Sequence, residues 1–364
     1  MTGTGRGMTA GASGRELADP SPGADPSPGF RRLALAGVVS TFALVLLGGV
    51  VRVSDSGLGC GPAGSGLEGW PLCGGALVPG LDLNAVIEYA HRALASAVGL
   101  LMIVLAVMAW RRLRAHRVIV RASVGAVLLV VAQGLLGAAT VEWNLEAELV
   151  AAHLLLAMLL LGLLIYIWRS SRPRASGEPA PSDEGPASPA GSGLRGLATA
   201  ASAAALATIV AGGYMAGTEN NGRLDEAQTT GAHYACGTQF PSCNGSFLPF
   251  GSGALVDVHL THRALMYLTV LLALALVAVA LARRPSRSAV VLAAATLGVL
   301  VAQVLVGALN VWIAPTDGLL VVLHLGLGTV LWCALVGLRL SLSPVPAPAG
   351  APAGARRRPE AVAA

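Results

Sequence analysis

Four histidines carry the clearest chemical potential in this chain: His91, His153, His262 and His324 each lie inside a long apolar run. An ionisable side chain is costly to keep in hydrocarbon, so an intramembrane imidazole points first to function. The plainer alternative for any one of them is a hydrogen-bonded packing residue. The spacing argues against that for the set: His262 follows His91 by 171 residues, and His324 follows His153 by the same 171. Two imidazoles from facing helices suit the axial positions of a haem iron. Zinc would need three or four clustered ligands with thiolate or carboxylate help.

The neighbours of these histidines extend the pattern. Arg92 and Arg263 directly follow His91 and His262. Their guanidinium groups suit pairing with haem propionates; the alternative is that they snorkel to the interface. Gln133 and Gln303 are read as bonding between helices rather than to a ligand. Glu88 stands one turn before His91, on the same face, and the equivalent position in the second copy is His259. There the copies differ in reactive chemistry. A carboxylate beside a haem pocket can move a proton or steady positive charge, and the competing reading is an interfacial acid wetted by a loop.

The elements that position these groups follow from composition. Hydrophobic residues make up 54% of the 364 and charged residues 12%, against roughly a quarter charged in a soluble domain. Eight apolar runs, near 33–53, 85–110, 118–140, 147–168, 195–217, 256–282, 288–313 and 318–340, are each long enough to cross a ~30 Å hydrocarbon core as a helix. Every lysine-or-arginine position is arginine, and the net charge is +5. These arginines cluster beside the apolar runs, at Arg31 and Arg32, Arg111 to Arg121, Arg169 to Arg195, Arg283 to Arg287, Arg339 and Arg356 to Arg358. The other set of loops holds Arg223, with Arg52 at the border. The positive-inside rule then places both termini in the cytoplasm and the long loops at 54–84 and 218–255 outside. No basic patch interleaved with aromatics appears, so a nucleic-acid role is excluded. Residues 31–53 are too long and lack the cleavage pattern of a signal peptide, and are read as the first helix.

A fixed offset organises the whole chain. Ala90-His91-Arg92-Ala93-Leu94 recurs as Thr261-His262-Arg263-Ala264-Leu265, Trp70-Pro71-Leu72-Cys73 as Phe240-Pro241-Ser242-Cys243, and Gln133-x3-Gly137 as Gln303-x3-Gly307, all at 170 or 171. The reading is an all-α integral membrane protein: eight transmembrane helices as two tandem four-helix bundles related by a parallel pseudo-two-fold repeat. Its parts are a disordered cytoplasmic tail (1–30), an N-terminal half (31–170), a cytoplasmic linker (171–194), a C-terminal half (195–342) and a disordered cytoplasmic tail (343–364). Even-numbered helices all start outside, so the four imidazoles share one depth, about 10 Å in at ~1.5 Å per residue. Cys60 with Cys73, and Cys236 with Cys243, fall in the outer loops, where disulfides persist. They are read as one local bridge per loop, with a redox dithiol as the alternative. Cys333 is alone in the last helix and reads as a packing residue.

Ser56-Gly57-Leu58-Gly59-Cys60, Trp70-Pro71-Leu72-Cys73, Glu88-Tyr89-Ala90-His91-Arg92, His153, the Cys236–Cys243 loop, His262-Arg263 and His324 together resemble the haem A synthase family, bacterial membrane enzymes related to a mitochondrial counterpart. These convert haem O to haem A for cytochrome oxidase. The resemblance spans roughly 33–340. It implies haem b held by His262 and His324, with haem O as substrate docking at His91 and His153. It also implies a role for Glu88 in oxidising the ring methyl, and disulfides between the paired cysteines. One departure stands out: the family's compact first-loop Cys-Pro-Asp-Trp-Pro-x-Cys run is stretched here, with twelve residues between Cys60 and Cys73. A flexible loop of that length costs little more to close.

The expected function is oxidation of haem O to haem A in a bacterial cell membrane. The expected partners are the lipid bilayer, haem O synthase and cytochrome oxidase assembly factors. Two other readings share the four ligands: a two-haem membrane cytochrome exchanging electrons with quinone, and a haem transporter or chaperone.

Overall fold

The chain starts its first helix where its own residues supply a start signal. Ser27 Oγ accepts from the Phe30 N–H at 3.2 Å, and Pro28 fills the first helical position, where its missing N–H does no harm. α1 therefore begins at Pro28, inside the segment expected to be a disordered tail. The computed structural model describes residues 25–172, 189–218, 231–284, 287–313 and 318–343. Arg174, Arg223, Arg356 to Arg358, and nearly all of the expected tails and linker, lie outside the described residues.

Seven further helices follow: α2 (Leu83–Arg112), α3 (Arg117–Glu142), α4 (Ala147–Ser170), α5 (Pro189–Gly217), α6 (Ala254–Arg283), α7 (Arg287–Trp312) and α8 (Gly318–Ser341). α5 starts within the segment expected as linker. Asp82 caps α2 by accepting from the Ala85 N–H at 3.0 Å. All eight are long and apolar enough to span a membrane, and large side chains such as Leu100, Leu128, Leu135 and Leu271 stay exposed on the outside of the bundle. In lipid such exposure carries no hydrophobic penalty. Association rests instead on close packing of small residues and interhelical hydrogen bonds.

The helices pack as two sets. α1 packs on α2 and α4, and α3 lies against both α2 and α4; α5 packs on α6 and α8, and α7 lies against both α6 and α8. The sets meet through α1, α4, α5 and α8. Trp332 on α8 donates its indole N–H to the Met158 carbonyl on α4 at 3.0 Å. Arg52 at the end of α1 donates to the Ala216 carbonyl on α5, at 2.6 Å from one terminal nitrogen. Glycines let the seam close: a methyl at Gly49 would stand 2.8 Å from Leu325, and one at Gly213 would stand 2.8 Å from Leu154.

Core packing is polarised along the helix axes. At the end away from the long loops, α1–α4 are filled by Phe30, Met102, Leu105, Leu164 and Ile167. The same end of α5–α8 is filled by Leu194, Ala198, Leu276, Leu335 and Leu338. The four histidines sit nearer the loop ends of their helices. His91 and His262 are the ninth residues of α2 and α6, and His153 and His324 the seventh of α4 and α8. At ~1.5 Å per residue they lie roughly 9–12 Å from the helix starts.

Candidate functional site

The second loop is a cover fastened at several points. Cys236 and Cys243 are bridged, and a short antiparallel bridge joins Cys243 to Ser246. Arg263 on α6 donates to the Ser242 carbonyl at 2.7 Å and the Gln239 carbonyl at 2.8 Å, and lies over the Phe240 ring at 5.4 Å. Trp312 at the end of α7 donates its indole N–H to the Phe240 carbonyl at 3.2 Å. His259, one turn before His262, donates from Nδ1 to the Ala232 carbonyl at 2.7 Å. Arg263 is 3% exposed, so it does not snorkel to water; its head group is enclosed under the loop.

Below this cover lies a partly open pocket between the helices. His259, His262, His324, Gln303 and Asn310 line it, with His233 from the loop. The rings of His262 and His324 meet edge-on, with centres 6.4 Å apart and planes at 67°. An imidazole nitrogen bonds a first-row metal at about 2.0 Å, so two rings trans across one metal have centres roughly 6 Å apart. In centre separation the pair matches that spacing. His262 Nδ1 donates to the Thr208 carbonyl at 2.9 Å, which leaves its Nε2 lone pair free to ligate. Gln303 Nε2 stands 3.3 Å from His324 Nε2. An amide NH2 only donates, so Gln303 aims its hydrogen at the lone pair a metal would use. Gln303 thus bonds between helices, as expected, but its partner is the candidate ligand itself. Among the described residues, no group of three or more His, Cys, Asp or Glu is gathered to hold a bare metal ion.

The first loop is fastened with different chemistry. Cys60 and Cys73 are bridged, with the same short bridge one step on, Cys73 to Ala76. The twelve-residue spacing has not prevented closure; the extra chain forms a 3-10 turn over Gly66–Glu68. Arg92 donates to the Gly69 carbonyl at 2.6 Å and the Leu72 carbonyl at 3.0 Å, and to Glu88. Glu88 also accepts the Cys60 N–H at 2.7 Å. It is 3% exposed, which excludes the wetted interfacial acid. The Nδ1 atoms of His91 and His153 are each buried without a hydrogen-bond partner. Gln133 Oε1 is buried in the same condition. Cys333 is unbridged and packs in the cluster around Trp332 at the seam.

Sequence reasoning missed two kinds of residue. His233 and Asn310 line the cavity without any pattern that marks them. The glycines facing the imidazoles were half visible: Gly137 and Gly307 were repeat landmarks, but their partners are histidines on the next helix, which no linear spacing reveals.

Comparison with known proteins agrees with this architecture. Residues 31–336 match the model of a family described as cytochrome oxidase assembly protein. A relative from Halalkalibacterium halodurans named Heme A synthase is 32% identical over 252 residues, covering 68% of this chain and 76% of its own. Two more proteins of that name are similar over 68% of this chain. That of Shouchella clausii is 29% identical and covers 75% of itself; that of Symbiobacterium thermophilum is 30% identical and covers 74%. With eight spanning helices, two cystine loops and a matched region that takes in all four intramembrane histidines, this chain belongs to the cytochrome oxidase assembly protein family.

Proposed function

We propose that this protein is a haem A synthase, an oxidoreductase of the membrane that converts a ring methyl of its substrate haem O to the formyl group of haem A for cytochrome oxidase. The observation that carries the reading is the His262 and His324 pair, 6.4 Å between ring centres, in a partly open pocket of a chain whose relatives bear that name. In this reading His262 and His324 hold haem b, and His91 and His153 receive haem O. Bound there, haem b would supply one-electron transfer.

The chain's own residues do the rest. Arg263 is buried and has no ion-pair partner among the described residues, which favours an acidic ligand group such as a propionate close by. Arg92 already has an internal counter-ion in Glu88, so its contribution to substrate is through the loop carbonyls it holds. Carrying a methyl through a hydroxymethyl stage to a formyl, with water as the oxygen donor, releases protons and passes electrons to an external acceptor. Glu88, one turn from His91, is the carboxylate placed to accept one or to steady developing charge. The arginine-rich ends of the helices lie opposite the cystine loops, which supports cytoplasmic termini and loops outside. Haem O synthase as the supplier of substrate, and assembly factors of cytochrome oxidase as the receivers of product, are the partners this reading implies.

Expression in a host that makes haem O but no haem A tests the proposal, with chromatography of the haems extracted from membranes. Haem A should appear only with the active gene. Haem b alone in the purified protein, with no haem A in membranes, would favour a quinone-linked cytochrome; weak, exchangeable haem with no altered product would favour a carrier.

A further inference from the structure

We propose that Gly48, Gly137, Gly212 and Gly307 are positioning residues for the four intramembrane imidazoles, each forming a bare ledge on which one ring rests. The inference builds on the haem-binding reading above. Each glycine lies on the odd-numbered helix preceding its histidine's helix. A methyl added there would stand 3.2 Å from His91 Cε1, 3.3 Å from His153 Cε1, 3.0 Å from His262 Cε1 and 2.7 Å from His324 Cε1. Other glycines on these helices are not used in this way. A methyl at Gly134 on α3, Gly196 on α5 or Gly298 on α7 would meet nothing within 4 Å.

The ledge gives the ring more than room. A helical side chain lies over the turn preceding its own Cα, so a glycine uncovers the main chain one turn earlier. At Gly212 that uncovered group is the Thr208 carbonyl, and His262 Nδ1 donates to it at 2.9 Å. An acceptor of this kind fixes the tautomer, turns Nε2 towards the metal and raises ligand basicity. The Nδ1 atoms of His91, His153 and His324 are buried without partners, and the residues one turn before their glycines are Leu44, Gln133 and Gln303. Those three carbonyls take the remaining Nδ1 hydrogens when the rings present Nε2 to iron, and at His324 the same turn releases Gln303.

The full chain, purified with its haem, tests this through haem per protein, the low-spin signature in absorption and electron paramagnetic resonance, and the midpoint potential. Gly307→Ala should retain haem about tenfold more weakly, with the low-spin signal replaced by a high-spin one. Gly212→Ala should keep more haem but shift its midpoint potential. Gly196→Ala and Gly298→Ala, on the same two helices, should match the parent in all three measures. An intact Cys236–Cys243 bridge and an unchanged elution profile show that the fold is kept; should Gly307→Ala fail to accumulate, Gly212→Ala decides. Parent-like potential and spectra in Gly212→Ala overturn the inference and leave the haem reading standing. A parent protein with no low-spin haem overturns both.

Discussion

Where α2 meets its loop, the fastening is an ion pair: Glu88 accepts from Arg92 and from the Cys60 N–H. Where α6 meets its loop, the carboxylate is replaced by His259, which donates to the Ala232 carbonyl instead, and Arg263 is left with carbonyls and the Phe240 ring. Both pairs hold a cystine loop over a histidine. The mechanical job is shared, but the charge differs. A buried guanidinium beside a carboxylate is compensated; one beside neutral groups keeps a positive field in its cavity. The C-terminal half thus keeps a buried guanidinium with no carboxylate partner among the described residues. In the N-terminal half the arginine is already balanced, and its distinguishing group is a carboxylate close to where substrate would sit. In the function proposed above, that difference would separate a resident cofactor from a transformed substrate.

The sharpest way to break this comparison is to exchange its chemistry. Glu88→Gln keeps an acceptor for the Cys60 N–H but removes the charge. If Glu88 serves proton transfer, conversion of haem O should fall by about 10²–10⁴-fold while haem b stays bound. Glu88→His installs the group found in the other half and should be equally inactive. Haem A output at the parent level from either variant would reduce Glu88 to a loop fastener.

Removing the bridges gives a middle-sized effect. The bridged residues are 13 apart in the first loop and 7 apart in the second, so chain entropy gives about 2.9 and 2.4 kcal/mol of stabilisation. Replacing each pair by serine should lower thermal stability in detergent by similar amounts, the first loop slightly more. A much larger loss in one half would mean that its bridge holds the haem site together as well as the loop.

The smallest effect crosses the seam. Gly49 belongs to α1, yet a methyl there would press on Leu325, the neighbour of His324, at 2.8 Å. Gly49→Ala should cost about 1 kcal/mol, because the end of a leucine side chain can give way, and should shift the spectrum of the haem held by α6 and α8. A shift confined to the His91 and His153 site would show that the halves are packed together without influencing one another.

Much of this was readable before any coordinates. The eight spans appear as apolar runs, because only continuous helices satisfy their backbone in lipid. The helix ends moved by a few residues, since caps such as Ser27 act beyond the apolar stretch. His262 and His324, expected as a pair from their place on alternate helices, have ring centres 6.4 Å apart. Arg92 and Arg263, expected to reach for propionates or water, also hold loop carbonyls. Loop carbonyls carry no side-chain signature, so their availability does not show in a string of residues.

The residues alone determined the membrane-spanning helices, the 170–171 offset and the chemical inventory, because hydropathy, residue type and spacing are local properties of the chain. Only the tertiary structure decided what each group faces: Glu88 towards Arg92 and the Cys60 N–H, Gln303 towards His324, and a glycine against each of His91, His153, His262 and His324. Those partners come from other helices or distant loops, and their meeting depends on helix rotation and close approach, which packing sets.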